Sequence, residues 1–368
     1  MTVFIAVHVG AGHLSRSKES KYRSACARAC EEAIRQLKQG KSSLEVVSNA
    51  IAILENDPIT NAGYGSNLTL NCTVECDASI MDGRNGSFGA VGAVSGIKNP
   101  IMAAQKMAEQ TTLLPLGRIP PMLLVGPGAK AWADEQGLTL VEDDALLSQN
   151  ALHTFGKHIR LLHNSNVDDG VDDDKEDREK MDDTVGAIAI DTCGNVAAGV
   201  SSGGISLKYP GRVGEAAMHG CGCWAQNATD RDPAIACSTS GTGEQIMRTK
   251  ITTRCAEQLV KEDDIPSTMA SVLRENFIES PYLQMYHEKS VGMIILRAVR
   301  SSQDNNSVGS GRDDATKNKS NHHVEFCYAH VTDSMGIGCM SDTCQKPKTF
   351  VSRKAAHEKM RCSGWLVR

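Results

Sequence analysis

Thr184 is the residue of this chain best placed by its neighbours to act as a nucleophile. It stands in Met-Asp-Asp-Thr-Val-Gly-Ala-Ile-Ala-Ile-Asp, directly after a run in which ten acidic and three basic residues crowd positions 168–183. No strand or helix periodicity survives in that run, and at Thr184 the chain turns abruptly small, apolar and strand-like. Cutting before Thr184 would free an α-amine beside the hydroxyl of the same residue, supplying nucleophile and general base together. The plainer reading is a solvated loop that ends at a β-branched strand residue, since Thr opens many strands.

Three other clusters carry the residue types such a nucleophile needs. Ser201-Ser202-Gly203-Gly204 ends a second strand-like run, and antiparallel pairing would return that end to Thr184, with Ser202 in hydrogen-bonding reach. Pro210-Gly211-Arg212-Val213-Gly214 is an arginine between glycines, a planar fork suited to a carboxylate with room for a ligand to approach. Ser238-Thr-Ser240-Gly241-Thr-Gly243-Glu244 sets a glycine-rich turn between a strand and a helix. Its unpaired backbone N–H groups suit an oxyanion hole. A phosphate loop is disfavoured because the Gly-Lys-Ser/Thr of that motif is missing.

The elements that must hold these clusters are legible in outline. Met1–Val7 reads as a core strand with no basic flank, not as a signal peptide. Residues 18–38 place Tyr22, Cys26, Ala29, Ala33 and Leu37 on one helical stripe. A second helix opens on the capping box Ser42-x-x-Glu45 and ends before Pro58. Residues 61–67 form a shaped Gly- and Asn-rich loop, followed by strands over 74–81 and 88–95 and helices near 100–110 and 150–163. The turn Thr192-Cys-Gly-Asn195 joins strands 184–191 and 196–201 as a hairpin. A strand at 234–240, a long helix to about 261, a helix near 266–278 and strands at 291–298 and 324–331 follow. Residues 300–322 are low in complexity and read as a solvated insertion. Strands apolar on both faces imply sheets covered by helices, hence an α-β-β-α layering.

The 368 residues are ample for a full core, and 40% apolar with 23% charged residues fits a soluble globular chain. A net charge of −5 gives no support for direct nucleic-acid binding. No stretch approaches the roughly 18 continuous apolar residues of a membrane span. Thirteen cysteines without a secretion signal favour reduced thiols in cytosol or nucleus. Their spacing lacks the partners of a zinc site, so no metal is expected.

Taken together, these residues resemble the type 2 asparaginase family of N-terminal nucleophile hydrolases, and within it the threonine aspartase (taspase) branch. The likeness runs through nearly the whole chain: His8-Val-Gly-Ala-Gly12, Thr60-Asn-Ala-Gly-Tyr-Gly-Ser-Asn67, Glu75-Cys-Asp-Ala-Ser-Ile-Met-Asp-Gly83 and Gly89–Pro100 in the first half. Asp183-Thr-Val-Gly186, Ser201-Ser-Gly-Gly204, Pro210-Gly-Arg-Val-Gly214, Gly220-Cys-Gly-Cys-Trp224 and Ser238–Glu244 carry it in the second.

The resemblance implies an α/β fold, a four-layer αββα sandwich of the N-terminal nucleophile hydrolase type. It implies self-cleavage at Asp183–Thr184, giving an α half of 1–183 that ends in an acidic flexible tether (about 164–183) and a β half of 184–368, both within one domain. By the same carry-over, Thr184 is the nucleophile and Ser202 assists it. Arg212 grips a substrate carboxylate, and Gly243, Asn61 and Gly63 count with it as substrate-binding residues. Ser240 and Gly241 shape the oxyanion hole, and Asn61 and Gly63 lie in the bracing loop. No cofactor is implied.

The implied activity is a self-activating threonine endopeptidase cutting after Asp, usually before Gly. The implied substrates are nuclear, namely trithorax/MLL-type methyltransferases and the TFIIA large-subunit precursor, with an αβ heterodimer that can pair further. The alternatives are an isoaspartyl peptidase/L-asparaginase and an unprocessed binding scaffold. Asparaginases have Asp after Arg-Val-Gly, pairing with the substrate's free amine; here Glu215 stands there, one methylene longer. The residues Ala-Ala after it, Ser201-Ser202 and Trp224 favour the taspase branch, and Glu215 keeps asparaginase-like activity open. The tether is acidic where taspases carry a basic import segment, which leaves nuclear and cytoplasmic residence both open.

Overall fold

Nine consecutive residues of the first strand, β1 (Phe4–Gly12), are buried on both faces, as happens only inside a covered sheet. The computed structural model describes residues 2–164, 184–300 and 322–367. Asp183, the acidic run before it and most of the 300–322 insertion therefore lie outside the described residues.

After β1 come α1 (Glu19–Lys38), α2 (Ser43–Glu55), β2 (Cys76–Asp82), β3 (Phe88–Val94), α3 (Pro100–Ala108), β4 (Leu123–Val125), α4 (Gly126–Glu135) and α5 (Gln149–Asn164). Then follow β5 (Val185–Ile190), β6 (Val196–Ser202), β7 (Cys223–Gln226), β8 (Ala234–Gly241), α6 (Gly243–Thr249), α7 (Ile251–Lys261) and α8 (Ile265–Leu273). The chain closes with β9 (Val291–Arg300), β10 (His322–His330), β11 (Ser334–Ser341), β12 (Lys348–Arg353) and β13 (Arg361–Val367).

Two sheets result. The larger runs β12-β11-β1-β5-β6-β2-β3-β4 and the smaller β13-β10-β9-β8-β7. Because successive side chains of a strand point to opposite faces, alternate residues of the central strands enter different cores. Ile5 and Val7 of β1 and Val185 and Ala187 of β5 face Leu37, Val47 and Ile51 of α1 and α2. Phe4, Ala6 and Ile188 face the other sheet, meeting Ile294, Leu296 and Phe326. On the far side of the smaller sheet, Leu259, Met269 and Phe277 close over Ile235, Cys237 and Ile295.

The capping box forms in half. Ser42 Oγ accepts from Glu45 N at 3.3 Å, while the Glu45 carboxylate pairs with Lys41 instead of reaching back. The long helix expected to 261 is two, because Lys250 takes φ 51 between α6 and α7 and its N–H closes on Ile246 O at 2.8 Å, a left-handed cap. Strands β4, β7, β11, β12 and β13 and helix α4 were not expected. β12 and β13 lie at sheet edges and are largely half-exposed, so they lack the apolar runs of the central strands.

Gly186 sits where the two sheets approach. It pairs with His8 of β1, and a Cβ there would stand 2.0 Å from Ser238 Oγ and 2.4 Å from His8 Nε2. Gly186→Ala must therefore spread the sheets. It is expected to cost at least the ~1–3 kcal/mol of core overpacking, read as a lower urea midpoint with unchanged slope. An unchanged midpoint would show that the sheets yield freely there.

Candidate active site

The site is built where β5 begins and β6 ends. The hairpin pairs Val185 with Ser201, which brings Thr184 level with Ser202. Thr184 is 2% exposed. Its Oγ1 lies 3.0 Å from Ser202 Oγ and 2.9 Å from Glu215 Oε1. A hydroxyl has one proton to give, and the carboxylate is the stronger acceptor. Ser202 Oγ also accepts from Gly204 N at 3.0 Å, which holds the strand end in its turn.

Glu215 is 3% exposed. Burial pushes its carboxyl up to about 7, against the opposing pull of the Arg212 guanidinium and the Thr184 hydroxyl. Arg212 gives Nε and Nη2 to the two oxygens of Glu244 at 2.9 and 2.8 Å, a bidentate fork. Its Nη1 lies beside Gly204 and Gly214, where a Cβ would come within 2.9 and 2.7 Å. Gly243 has the same use: a Cβ there would stand 2.5 Å from Glu215 Oε2 and 2.9 Å from Arg212 Nη2. The arginine and both carboxylates thus converge because three glycines leave space.

Beneath them lies a buried polar layer. Asp77 of β2 accepts from Ala93 N and Gly214 N, both at 2.8 Å, tying the arginine loop to the sheet. Lys208, buried, donates from Nζ to Gly203 O at 2.8 Å and to Glu75 O. Burial pushes its ammonium below its usual range, and the Asp77 carboxylate opposes that. His8 Nε2 meets Ser238 Oγ at 2.8 Å. Burial holds the imidazole down to about 3, so it is neutral near pH 7, the backbone of Thr184 offsetting only part of the shift.

Six of the expected residues, Asn61, Thr184, Ser202, Arg212, Gly241 and Gly243, line one small pocket, with Glu215 among them. Asn61 braces rather than reaches inward: Nδ2 donates to Gly204 O at 2.8 Å, and Oδ1 accepts from Asn67 N. Two expected residues are elsewhere, and their placement is corrected. Ser240 Oγ accepts from Ala11 N at 3.0 Å, so its side chain is taken up by β1, and Gly241 is left to line the pocket with its backbone. Gly63, at φ 52, backs onto the Glu55 carbonyl and shapes the 61–67 loop from behind. Asp183, the other half of the expected cut, falls outside the described residues.

Sequence reasoning missed Glu244 as the partner of Arg212, Asp77 and Lys208 as the layer below, and the His8–Ser238 contact. The available signal was a set of charged or polar residues within otherwise small or apolar segments. Their meeting depends on distant elements.

The asparaginase family profile matches residues 1–299. The chain is 36% identical to an isoaspartyl peptidase of Escherichia coli over 253 residues, 66% of this chain and 73% of that protein. It is 37% identical to an isoaspartyl peptidase/L-asparaginase of Mus musculus over 252 residues, 68% and 71% of the two chains. A protein of the same name from Xenopus laevis is 38% identical over 249 residues, 67% and 73%. These likenesses overturn the expected endopeptidase that cuts after Asp. The similar proteins bear the name of the alternative activity, and Glu215, the residue that kept that alternative open, stands on the pocket wall beside Thr184.

Proposed function

The chain belongs to the asparaginase family, and on that premise we propose that it is a threonine amidohydrolase of the isoaspartyl peptidase/L-asparaginase class, on an αββα sandwich of the N-terminal nucleophile type. The chain matures by cutting itself before Thr184. The observation that carries the reading is a pair of opposite charges, Arg212 and Glu215, flanking Thr184 in one small pocket.

A zwitterionic α-carbon satisfies both charges at once. Arg212 Nη1 takes the α-carboxylate, Glu215 takes the α-ammonium, and the side-chain amide or isopeptide carbonyl is left for Thr184 Oγ1. The Thr184 α-amine, once free, takes the hydroxyl proton and delivers it to the leaving amine. The backbone at Gly241 faces the oxygen that becomes negative.

The test offers purified protein L-asparagine, β-aspartyl-leucine, its N-acetyl form and a polypeptide with an ordinary Asp-Gly bond. The first two are hydrolysed. Acetylation removes the ammonium from Glu215 and raises KM by ~10–100-fold, the range for a hydrogen bond to a charged group. Cleavage of the Asp-Gly polypeptide with asparagine and the dipeptide untouched would overturn the reading, as would a chain that never turns over any of them.

A further inference from the structure

In the intact chain the nitrogen of Thr184 is an amide, whose lone pair is delocalised into the carbonyl. It cannot be the base for the cut that creates it. Another group must take the hydroxyl proton in that first reaction. Of the described residues, Ser202 and Glu215 hydrogen-bond Thr184 Oγ1. A serine hydroxyl is no base near neutral pH. Glu215 is a carboxylate 2.9 Å from the reacting oxygen, within the reach a general base needs, and it is almost wholly shielded from water.

We propose that Glu215 is the general base of self-cleavage before Thr184, a catalytic role that precedes its part in holding substrate. The proposal rests on the self-maturation included in the proposed function. Glu215 Oε1 takes the proton as Thr184 Oγ1 bonds to the carbonyl carbon of the preceding residue. The C–N bond to Thr184 then breaks, and the departing nitrogen receives that proton back, leaving an ester and a free amine. Water adds its hydroxyl to the acyl carbon and its proton to Oγ1 as the ester opens. One water is consumed and nothing is oxidised. The new α-amine now serves as base, and Glu215 is free to meet an ammonium.

The surroundings suit the task. Burial raises the carboxyl of Glu215 and Arg212 lowers it, while Asp77 on β2 raises it further. Cys221 lies close enough to feel its charge. Behind these, Glu244 on α6 shares Arg212 and Lys208 faces Asp77. The balance, about 7, makes the base form grow as pH rises through neutrality.

Full-length precursor of wild type, Glu215→Gln and Glu215→Asp is isolated early from cold expression, and the chain beginning at Thr184 is followed by intact mass from pH 5.5 to 9. Wild type is expected to mature faster with rising pH, by up to tenfold per unit, and to level off above about 7. The isosteric Gln variant, shown folded by circular dichroism, loses that rising limb and slows by ~10²–10⁴-fold. The Asp variant keeps a rising limb at an intermediate rate. A folded Gln variant maturing at the wild-type rate overturns the role of Glu215 alone, and so does a wild-type profile flat through neutrality. A wild type that never cleaves removes self-maturation and this role together.

Discussion

Thr184→Ala leaves a folded protein that neither matures nor hydrolyses asparagine or an isoaspartyl bond. The substitution keeps the backbone of β5 and removes one atom with consequence, Oγ1, which lies between Ser202 and Glu215. Knocking out a catalytic hydroxyl nucleophile lowers kcat by as much as ~10⁶-fold in a well-studied serine hydrolase, and a loss of at least ~10⁴-fold is expected here. Stability suffers far less, by the ~1–3 kcal/mol of a buried carboxyl that loses a partner. Intact mass and hydrolysis of β-aspartyl-leucine are the measurements. Turnover within tenfold of wild type would remove Thr184 from the reaction. Thr184→Ser keeps the oxygen and should restore both activities in part.

The second large effect is that of Arg212→Ala, which should lower kcat/KM for asparagine by ~10²–10³-fold, chiefly through KM. Truncating one partner of a buried, hydrogen-bonded charge pair at a binding site costs ~2–5 kcal/mol of affinity, and the lower part of that range applies because Glu244 holds Nε and Nη2, leaving Nη1 for the substrate. Arg212→Lys is not expected to rescue. A single ammonium cannot grip both oxygens of Glu244 and still present a donor to a substrate carboxylate.

The same variant carries a stability signature with a definite sign. The folded-state pKa of Glu215, about 7, lies above its ordinary 4.5. Its contribution to stability is therefore full below about 4.5 and is lost as pH rises through about 7. Removing Arg212 takes away a cation that favours the ionised form, so that loss deepens and extends to higher pH. The carboxyl of Glu244, held low by Arg212 against its own burial, contributes stability above the ordinary carboxylate range, and this too disappears. The gap in urea midpoint between wild type and Arg212→Ala should widen from pH 4.5 to pH 8. A gap independent of pH would mean that Arg212 does not set the charge of either carboxylate.

Much of this fold follows from local rules. The stripe of Tyr22, Cys26, Ala29, Ala33 and Leu37 is buried along α1 as its spacing requires. The turn between β5 and β6 is stapled by Asp191 Oδ1, which accepts from Cys193 N and Asn195 N. Edge strands β12 and β13 escaped notice because a strand with an exposed face needs no apolar run, and its existence depends on a neighbour. The interruption at Lys250 escaped because a left-handed residue that is neither Gly nor Asn leaves no mark in composition.

The site divides along the same line. A short turn between antiparallel strands sets their register, so the sequence by itself determined that Ser202 returns to Thr184. The Gly-Arg-Val-Gly and Ser-Gly-Thr-Gly segments likewise announced a carboxylate grip and a backbone lining. Only the tertiary structure decided what those segments meet. It turned Ser240 towards Ala11, gave Arg212 the Glu244 carboxylate, and set Glu215 2.9 Å from the nucleophile with burial holding its proton near neutrality. The physical reason is range. A hairpin is specified by the few residues of its turn, whereas the approach of β1, β8, α6 and the 210–215 loop is set by two cores packing at once, and the affinity of a buried carboxyl for its proton depends on everything that surrounds it.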